Sequence, residues 1–236
     1  MRIKIIANPK KSWAKKLAPE VAEELRKEGH ELVRSGADAT ICIGGDGTIL
    51  YAGHKGLLEG AILGIGSTHS YICQVNNQFW KEDIRKMLAS APRLKAMTLE
   101  AEMSGEKYSA INDFVVHAAN YRVVDLAVSS TGTRWVYEGD GIIVSSSLGS
   151  AAYAYSAGGK KLKPDERRIS LVPICPYKRE FTPVIVGEDE VIEIRAGDNC
   201  AFIVDGIFVR QLKKDEVLRI KKGRDIEFFQ GVGRNG

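Results

Sequence analysis

Cysteine, tryptophan and long apolar runs are scarce in this chain, and each scarcity excludes a class of protein. The four cysteines, at positions 42, 73, 175 and 200, form no C-x-x-C pair. Disulfide scaffolds and structural zinc sites depend on closely spaced ligands, so neither is expected. Cys42 and Cys175 lie in apolar stretches and read as reduced core residues. No apolar run approaches the ~20 residues of a membrane-crossing helix. The opening MRIKIIANPK is too short and too charged for a secretory signal, which points to a cytoplasmic protein with no membrane contact. A strong charge imbalance is also missing. A net charge of +4 suits an anionic small molecule and does not call for nucleic acid, whose binders cluster basic residues far more densely. The three tryptophans, Trp13, Trp80 and Trp135, form no stacking array for single strands. There is no G-x-x-x-x-G-K-[ST] loop, and GIG at 64–66 lacks the third glycine of a dinucleotide fingerprint.

What is present is a chain of 236 residues, long enough for one large or two small domains, with 44% hydrophobic residues to build a core. Its first 90 residues alternate strand and helix signals. RIKIIA (2–7), ATICIG (39–44) and AILGIG (61–66) read as buried strands. Helices are expected from Ser12, as cap, to about Lys27, from about Thr48 to Leu58, and over 81–90; Pro19 is the weak point of the first and Gly29 its stop. Strands separated by helices imply an open parallel sheet covered on both faces. After Pro92 the texture becomes all-β. Strands are expected at 98–103, 108–117, 123–129, 169–174, 191–194, 201–204 and 217–220, with one helical candidate at 150–157. The expected organisation is therefore an N-terminal α/β domain over 1–92 and a C-terminal mostly β, sandwich-like domain over 93–225. The tail 226–236 returns to the first domain before fraying.

ICIGGDGTIL (41–50) places a lone carboxylate, Asp46, in a glycine turn between a strand and a helix. Glycines beyond the carboxyl end of a strand let backbone N–H groups approach a phosphate, and a helix N-terminus favours the anion. They leave Asp46 unexplained, because a carboxylate repels phosphate. Either Asp46 is a helix N-cap, or it holds Mg²⁺ or takes a proton from an attacking hydroxyl. A second G-D-G opens YEGDGIIVSSSLGSAAYAYSAGG (137–159), where three serines lead into a short helix. The serines serve either as phosphate or ribose ligands or as loop and cap residues.

Together these two segments, about 95 residues apart, resemble the NAD kinase family, which carries GGDGT in its first domain and DGLxVSTPTGSTAYxxSAGG in its second. IANPKK (6–11), IND (111–113), SLVPICPY (170–177) and VDG (204–206) follow the family in order, so the resemblance covers essentially the whole chain. GGDGT alone also occurs in diacylglycerol kinases, sphingosine kinases and phosphofructokinases; the second segment is not typical of those.

The resemblance implies an N-terminal Rossmann-like domain, a β-rich C-terminal domain and an active site between them. It implies transfer of a phosphoryl group from ATP, another nucleoside triphosphate or polyphosphate to the 2′-hydroxyl of the adenosine ribose of NAD, with Mg²⁺ or another divalent cation. Asp46 is then the candidate general base. Gly44, Gly45, Gly47 and Thr48 are the donor-phosphate frame. Asn112 and Asp113 take the place of the family's Asn-Glu pair, which holds the adenosine part of NAD. Asp140, Ala152, Tyr153 and Ser156 fall at positions that contact the ribose, nicotinamide and neighbouring groups. Asp205 matches a family aspartate, although a turn before Gly206 explains it equally well. The resemblance also implies a homodimer or homotetramer.

Four departures stand out. The family's G-x-N-x-G-x-L-G-F is here GIGSTHSYI (64–72), so its Asn is Gly66 and its second glycine Thr68. Ser147-Leu148 replaces Pro-Thr, Ala151 replaces a threonine, and Asp113 is one methylene shorter than glutamate. Each lost hydrogen bond to a buried substrate group weakens binding by about 0.5–1.5 kcal/mol. They raise two alternatives, a related kinase with a different hydroxyl acceptor and a non-catalytic NAD(H) or NADP(H) sensor. Asp46 argues against the second, since a protein that only binds dinucleotides has little need of that carboxylate. His69 reads as a surface residue, His117 as a core or interface residue, and KKLK (160–163) as a solvated face.

Overall fold

The computed structural model of the chain describes residues 1–120, 122–130, 132–197 and 199–231. It divides into two compact units, Met1–Ala96 joined by the segment from Ile226, and Met97–Asp225. The last residues of the tail, 232–236, lie outside the described residues.

The first unit contains β1 (Arg2–Ala7), α1 (Ser12–Lys27), β2 (Glu31–Leu32), β3 (Ala39–Ile43), α2 (Asp46–His54), β4 (Ala61–Gly66), β5 (Val75–Asn76) and α3 (Trp80–Ser90). Its strands run parallel in the order β2-β1-β3-β4, with β5 beside β4. β3 and β4 are buried along their whole length, which is why they read as unbroken apolar runs and not as alternating ones. α1 buries Ala14, Leu17, Val21 and Leu25 on one stripe. Pro19, exposed on the opposite face, removes one backbone donor without ending the helix, because the stripe is packed on both sides of it. Ser12 is the first helical residue and not the cap. Lys11 holds the cap position, and no side chain caps this end. α2 begins two residues before Thr48 and ends at His54.

The second unit is built from β6 (Arg93–Met103), which enters it from the first, β7 (Glu106–Ala110), β8 (Asp113–Ala118), β9 (Val124–Ser130), β10 (Thr133–Gly139) and β11 (Gly141–Ser146). A 3₁₀ turn (Gly149–Ala151) and α4 (Tyr153–Ser156) follow. Then come β12 (Arg168–Ile174), β13 (Val184–Gly187), β14 (Ile192–Ala196), β15 (Cys200–Val204), β16 (Ile207–Gln211) and β17 (Val217–Phe229). One sheet runs β10-β9-β14-β17 with the β6–β7 hairpin beside it, and a second, six-stranded, runs β13-β12-β11-β8-β15-β16. Leu126, Val128, Ile194 and Leu218 of the first share one core with Phe114, Val144, Leu171 and Phe202 of the second, as in a sandwich. The end of β17 carries the chain back to the first unit, where Phe228 pairs with Ile62 of β4 in parallel.

Two expectations are corrected here. Residues 108–117 are not one strand. β7 ends at Ala110 and β8 starts at Asp113, because the N–H groups of Ile111, Asn112 and Asp113 turn to the carboxylate of Asp205. Cys175 is not a core residue. β12 ends at Ile174, Cys175 turns out with φ 45°, and its side chain is exposed. Cys42 is buried, and burial pushes its thiol up to about 12. Among the described residues no helix is long and apolar enough to cross a membrane.

Candidate active site

In the first unit the glycine turn lies beyond the carboxyl ends of β1 and β3. Asn8, just past β1, donates its N–H to Ile43 O (2.8 Å) and its amide Nδ2–H to Thr48 Oγ1 (3.3 Å), and Lys11 Nζ–H bonds to Gly44 O (2.6 Å). Gly44 sits at φ 146°, and a Cβ there would collide with the side chains of Asn8 and Thr48, so only glycine fits. The N–H groups of Gly44 and Gly45 both point to Ile65 O (3.0 and 3.2 Å). They are therefore engaged within the protein and do not face a phosphate. Among the described residues the amides of Asp46 and Gly47, in the first turn of α2, have no backbone partner and are the anion donors left in this turn. Gly47 and Thr48 line a cavity of about 320 Å³ with Asn8, Pro9, Lys10 and Tyr51.

Asp46 is half-buried, and its carboxylate is held by three consecutive amides: Tyr71 N–H to Oδ2 (2.7 Å), and Ile72 and Cys73 N–H to Oδ1 (3.0 and 3.1 Å). These amides close the divergent stretch 64–72. The Cys73 thiol also hydrogen-bonds to this carboxylate, a fourth contact for a group with about four acceptor positions. In that stretch a Cβ on Gly66 would collide with Ser70 and approach Cys73 Cβ to 2.9 Å, so this loop has no room for the family's asparagine. Burial first, then the Asp46 charge and the thiol's hydrogen bond to that carboxylate, push the Cys73 thiol well up.

The second unit brings Asn112, Asp113, Asp140 and Tyr153 together. Asn112 is 7% exposed, and its Oδ1 is buried with no hydrogen-bond partner among the described residues. Asp113 is 4% exposed, and burial first, then the negative charge of Asp205, raises its carboxyl to about 7. Tyr153, exposed on α4, has its phenol raised by burial and by the nearby Cys175, Asp113 and Asp140. The Cys175 thiol is bonded to Asp140 and pushed up by that bond first, then by burial and the Asp140 charge. Ala152 and Ser156 are exposed, and Ser156 Oγ–H bonds back to Ala152 O (3.3 Å).

The three serines are not ligands. Ser145, Ser146 and Ser147 are fully buried and donate to backbone carbonyls, among them Ile111 O (2.7 Å, from Ser146) and Arg168 O (2.9 Å, from Ser147). Two participants escaped sequence reasoning. Cys175 carried no signal beyond a misleading apolar context. The Tyr71–Cys73 amides carry none, since backbone groups have no residue type.

Residues 112–229 match the family profile of the ATP-NAD kinase C-terminal domain, half of the chain. An NAD kinase of Lachnoclostridium phytofermentans is 30% identical over 228 residues, spanning 87% of this chain and 80% of that protein. One of Chlorobium limicola is 31% identical over 204 residues, spanning 80% and 69%. The chain belongs to the NAD kinase family. Its fold is that of solved NAD kinases as well. The Archaeoglobus fulgidus NAD kinase in complex with ATP superposes with a TM-score of 0.84 at 23% identity over 100% of this chain and 96% of that one. The yeast NADH kinase complexed with NADH gives 0.81 at 20% identity, over 100% and 84%. The fold class expected from sequence, α/β followed by mostly β, is thus that of the NAD kinases.

The divalent cation implied by the family must be compatible with these residues. Among the described residues no three His, Cys, Asp or Glu side chains gather into a metal cage. Mg²⁺ in phosphoryl transfer is usually held by one or two carboxylates plus substrate phosphates. Asp46, the half-buried carboxylate at the start of α2, fits that mode.

Proposed function

We propose that this member of the family catalyses Mg²⁺- and ATP-dependent phosphorylation of the 2′-hydroxyl of the adenosine ribose of NAD. The observation that carries the reading is the buried, unpartnered Oδ1 of Asn112 beside Asp113, within the segment that matches the family profile. A buried acceptor without a donor costs stability unless a ligand supplies one. The adenosine part of NAD does so, and Tyr153 offers it an exposed ring face. In the first unit the free amides of Asp46 and Gly47 and the cavity wall from Asn8 to Lys10 receive the donor phosphates. Mg²⁺ bound there would neutralise charge on the phosphates, with Asp46 as its protein ligand or neighbour. The 2′-oxygen bonds to the γ-phosphorus, the bond from that phosphorus to the β–γ bridging oxygen breaks, ADP leaves, and the hydroxyl proton passes to the Asp46 carboxylate, which gives up one of its loop contacts to accept it. Such general-base help is worth roughly 10²–10⁴-fold. The homo-oligomer belongs to the same proposal and rests on the resemblance.

One observation favours a second reading, a dinucleotide sensor: Asp46 already has work in the fold, holding Tyr71–Cys73. The deciding experiment incubates protein, Mg²⁺, ATP and NAD and follows NADP with an NADP-specific dehydrogenase, with Asp46→Asn alongside. The kinase reading expects NADP to form and the variant to lose at least a hundredfold in turnover while still binding NAD. NAD binding with no turnover by the parent protein, under ATP or polyphosphate, would establish the sensor instead.

A further inference from the structure

The turn between β15 and β16 carries Asp205 and Gly206, at φ 49° and 77°. An Asp-Gly pair is common in such hairpins, and a turn residue ordinarily leaves its carboxylate in water. Asp205 does not. It is 9% exposed and receives three consecutive amides from a segment more than ninety residues away in sequence. Ile111 N–H donates to Oδ2 (2.9 Å), and Asn112 and Asp113 N–H donate to Oδ1 (2.7 and 3.1 Å). Asp205 N–H in turn bonds to Asp113 O (3.0 Å). The remaining carbonyls of the segment are fixed from the other side. Ser146 N–H and Ser145 Oγ–H reach Asn112 O (2.8 and 3.3 Å), and Ser146 Oγ–H reaches Ile111 O (2.7 Å). Every backbone polar group of Ile111, Asn112 and Asp113 named here is thus tied down, while the Asn112 side-chain oxygen is left unpartnered. Pinning a backbone so that an unsatisfied side chain keeps one aim is preorganisation for a ligand.

We infer that Asp205 is a positioning residue for NAD, setting the 111–113 backbone and through it the aim of Asn112 and Asp113. This rests on the reading that those two residues hold the dinucleotide. Asp205 does not touch the substrate; it acts through the strand break that it creates.

Asp205→Asn tests this, because asparagine keeps the size, tolerates the left-handed turn and replaces one acceptor oxygen with a donor facing an N–H. The expected result is a folded variant whose KM for NAD rises about tenfold to a hundredfold, with the KM for ATP within about twofold. A second readout separates positioning from mere support. Asp113 is faced by Asp205 from the β15–β16 turn and by Tyr153 from α4. Removing the Asp205 charge therefore moves the acidic limb of kcat/KM for NAD to lower pH, whereas a purely structural loss leaves that limb in place. Should Asp205→Asn fail to fold, Ser146→Ala, which releases Ile111 O and keeps the Asp205 charge, decides by the KM for NAD against that for ATP, with the pH limb staying in place. A folded variant with unchanged KM for NAD, or with both KM values rising together and the pH limb fixed, overturns the inference. Calorimetric NAD binding by the parent protein runs as control. Parent protein that neither binds nor phosphorylates NAD refutes the NAD reading, and this inference with it. An active parent with variants that match it refutes the positioning role alone.

Discussion

Asp113→Asn should make the second unit more stable at pH 8 than the parent, and the gain should vanish at low pH. Burial and the Asp205 charge raise the Asp113 carboxyl from 3.8 to about 7. A carboxyl raised on folding contributes stability that is fully present below its unfolded value and is lost as pH rises through the folded value. The window therefore runs from about pH 4 to pH 7. Linkage with these two values predicts a loss of roughly 2–3 kcal/mol between pH 5 and pH 8 in the parent. Asparagine does not titrate, so the stability difference between variant and parent changes by that amount over the same range. Trp135, stacked on Phe181 with ring centroids 4.9 Å apart, reports unfolding of the second unit. Urea titrations followed by its fluorescence, in a Trp13→Phe and Trp80→Phe background, supply the free energies at each pH. Parallel curves for the parent and the Asp113→Asn variant from pH 5 to 8 would show that the carboxyl titrates normally, and the argument from its burial would fail. A difference of opposite sign would mean that Asp113 is held ionised by a cation that the geometry does not show.

The remaining predictions concern the glycine turn and the exposed thiol. Gly44→Ala places a Cβ against Asn8 and Thr48 at φ 146°, so the melting temperature should drop by the equivalent of about 1–3 kcal/mol and turnover should fall with it; an unchanged melting curve would refute the collision. Of the four cysteines only Cys175 is exposed, so the native protein should react with a disulfide reagent at one site, and Cys175→Ser should abolish it. Its bond to Asp140 makes that reaction slower at neutral pH than that of an ordinary exposed thiol, and bound NAD should slow it further. Rapid labelling of two or more thiols would contradict the burial assigned to the others.

Local signals carried most of the fold and part of the site. The strands 2–7 and 61–66 were legible to the residue because each is a short apolar run bounded by turn residues. GGDGT announced its turn through glycine, and the resemblance named Asn112, Asp113, Asp140 and Tyr153, which the fold gathers in the second unit, as candidates to hold NAD. What stayed hidden lies where a distant group decides. Nothing between 108 and 117 signals the break at Ile111–Asn112, since its cause is a carboxylate at 205. The apolar run before Cys175 gives no hint that the chain turns outward one residue after β12 ends. The serines at 145–147 invite a ligand reading by type, yet full burial against backbone carbonyls commits their hydroxyls to the fold.

Asp46, proposed as the general base, and Asp205, proposed as a positioning residue, share the same local context. Both follow a β-strand in a glycine-bearing turn, and both receive three consecutive amides. Three such bonds fix the carboxylate in one orientation. The difference is access. Asp205 is closed off at 9% exposure, so its effect on chemistry passes only through the backbone it holds. Asp46 is half-buried at the start of a helix, within reach of solvent, and its contacts come from the neighbouring loop. A general base has to be held still on one side and open on the other. The tether from Asp46 to Tyr71–Cys73 gives the divergent 64–72 loop a direct line to the proposed general base. Substitutions in that loop should change kcat through the orientation of Asp46 even where they touch neither NAD nor ATP.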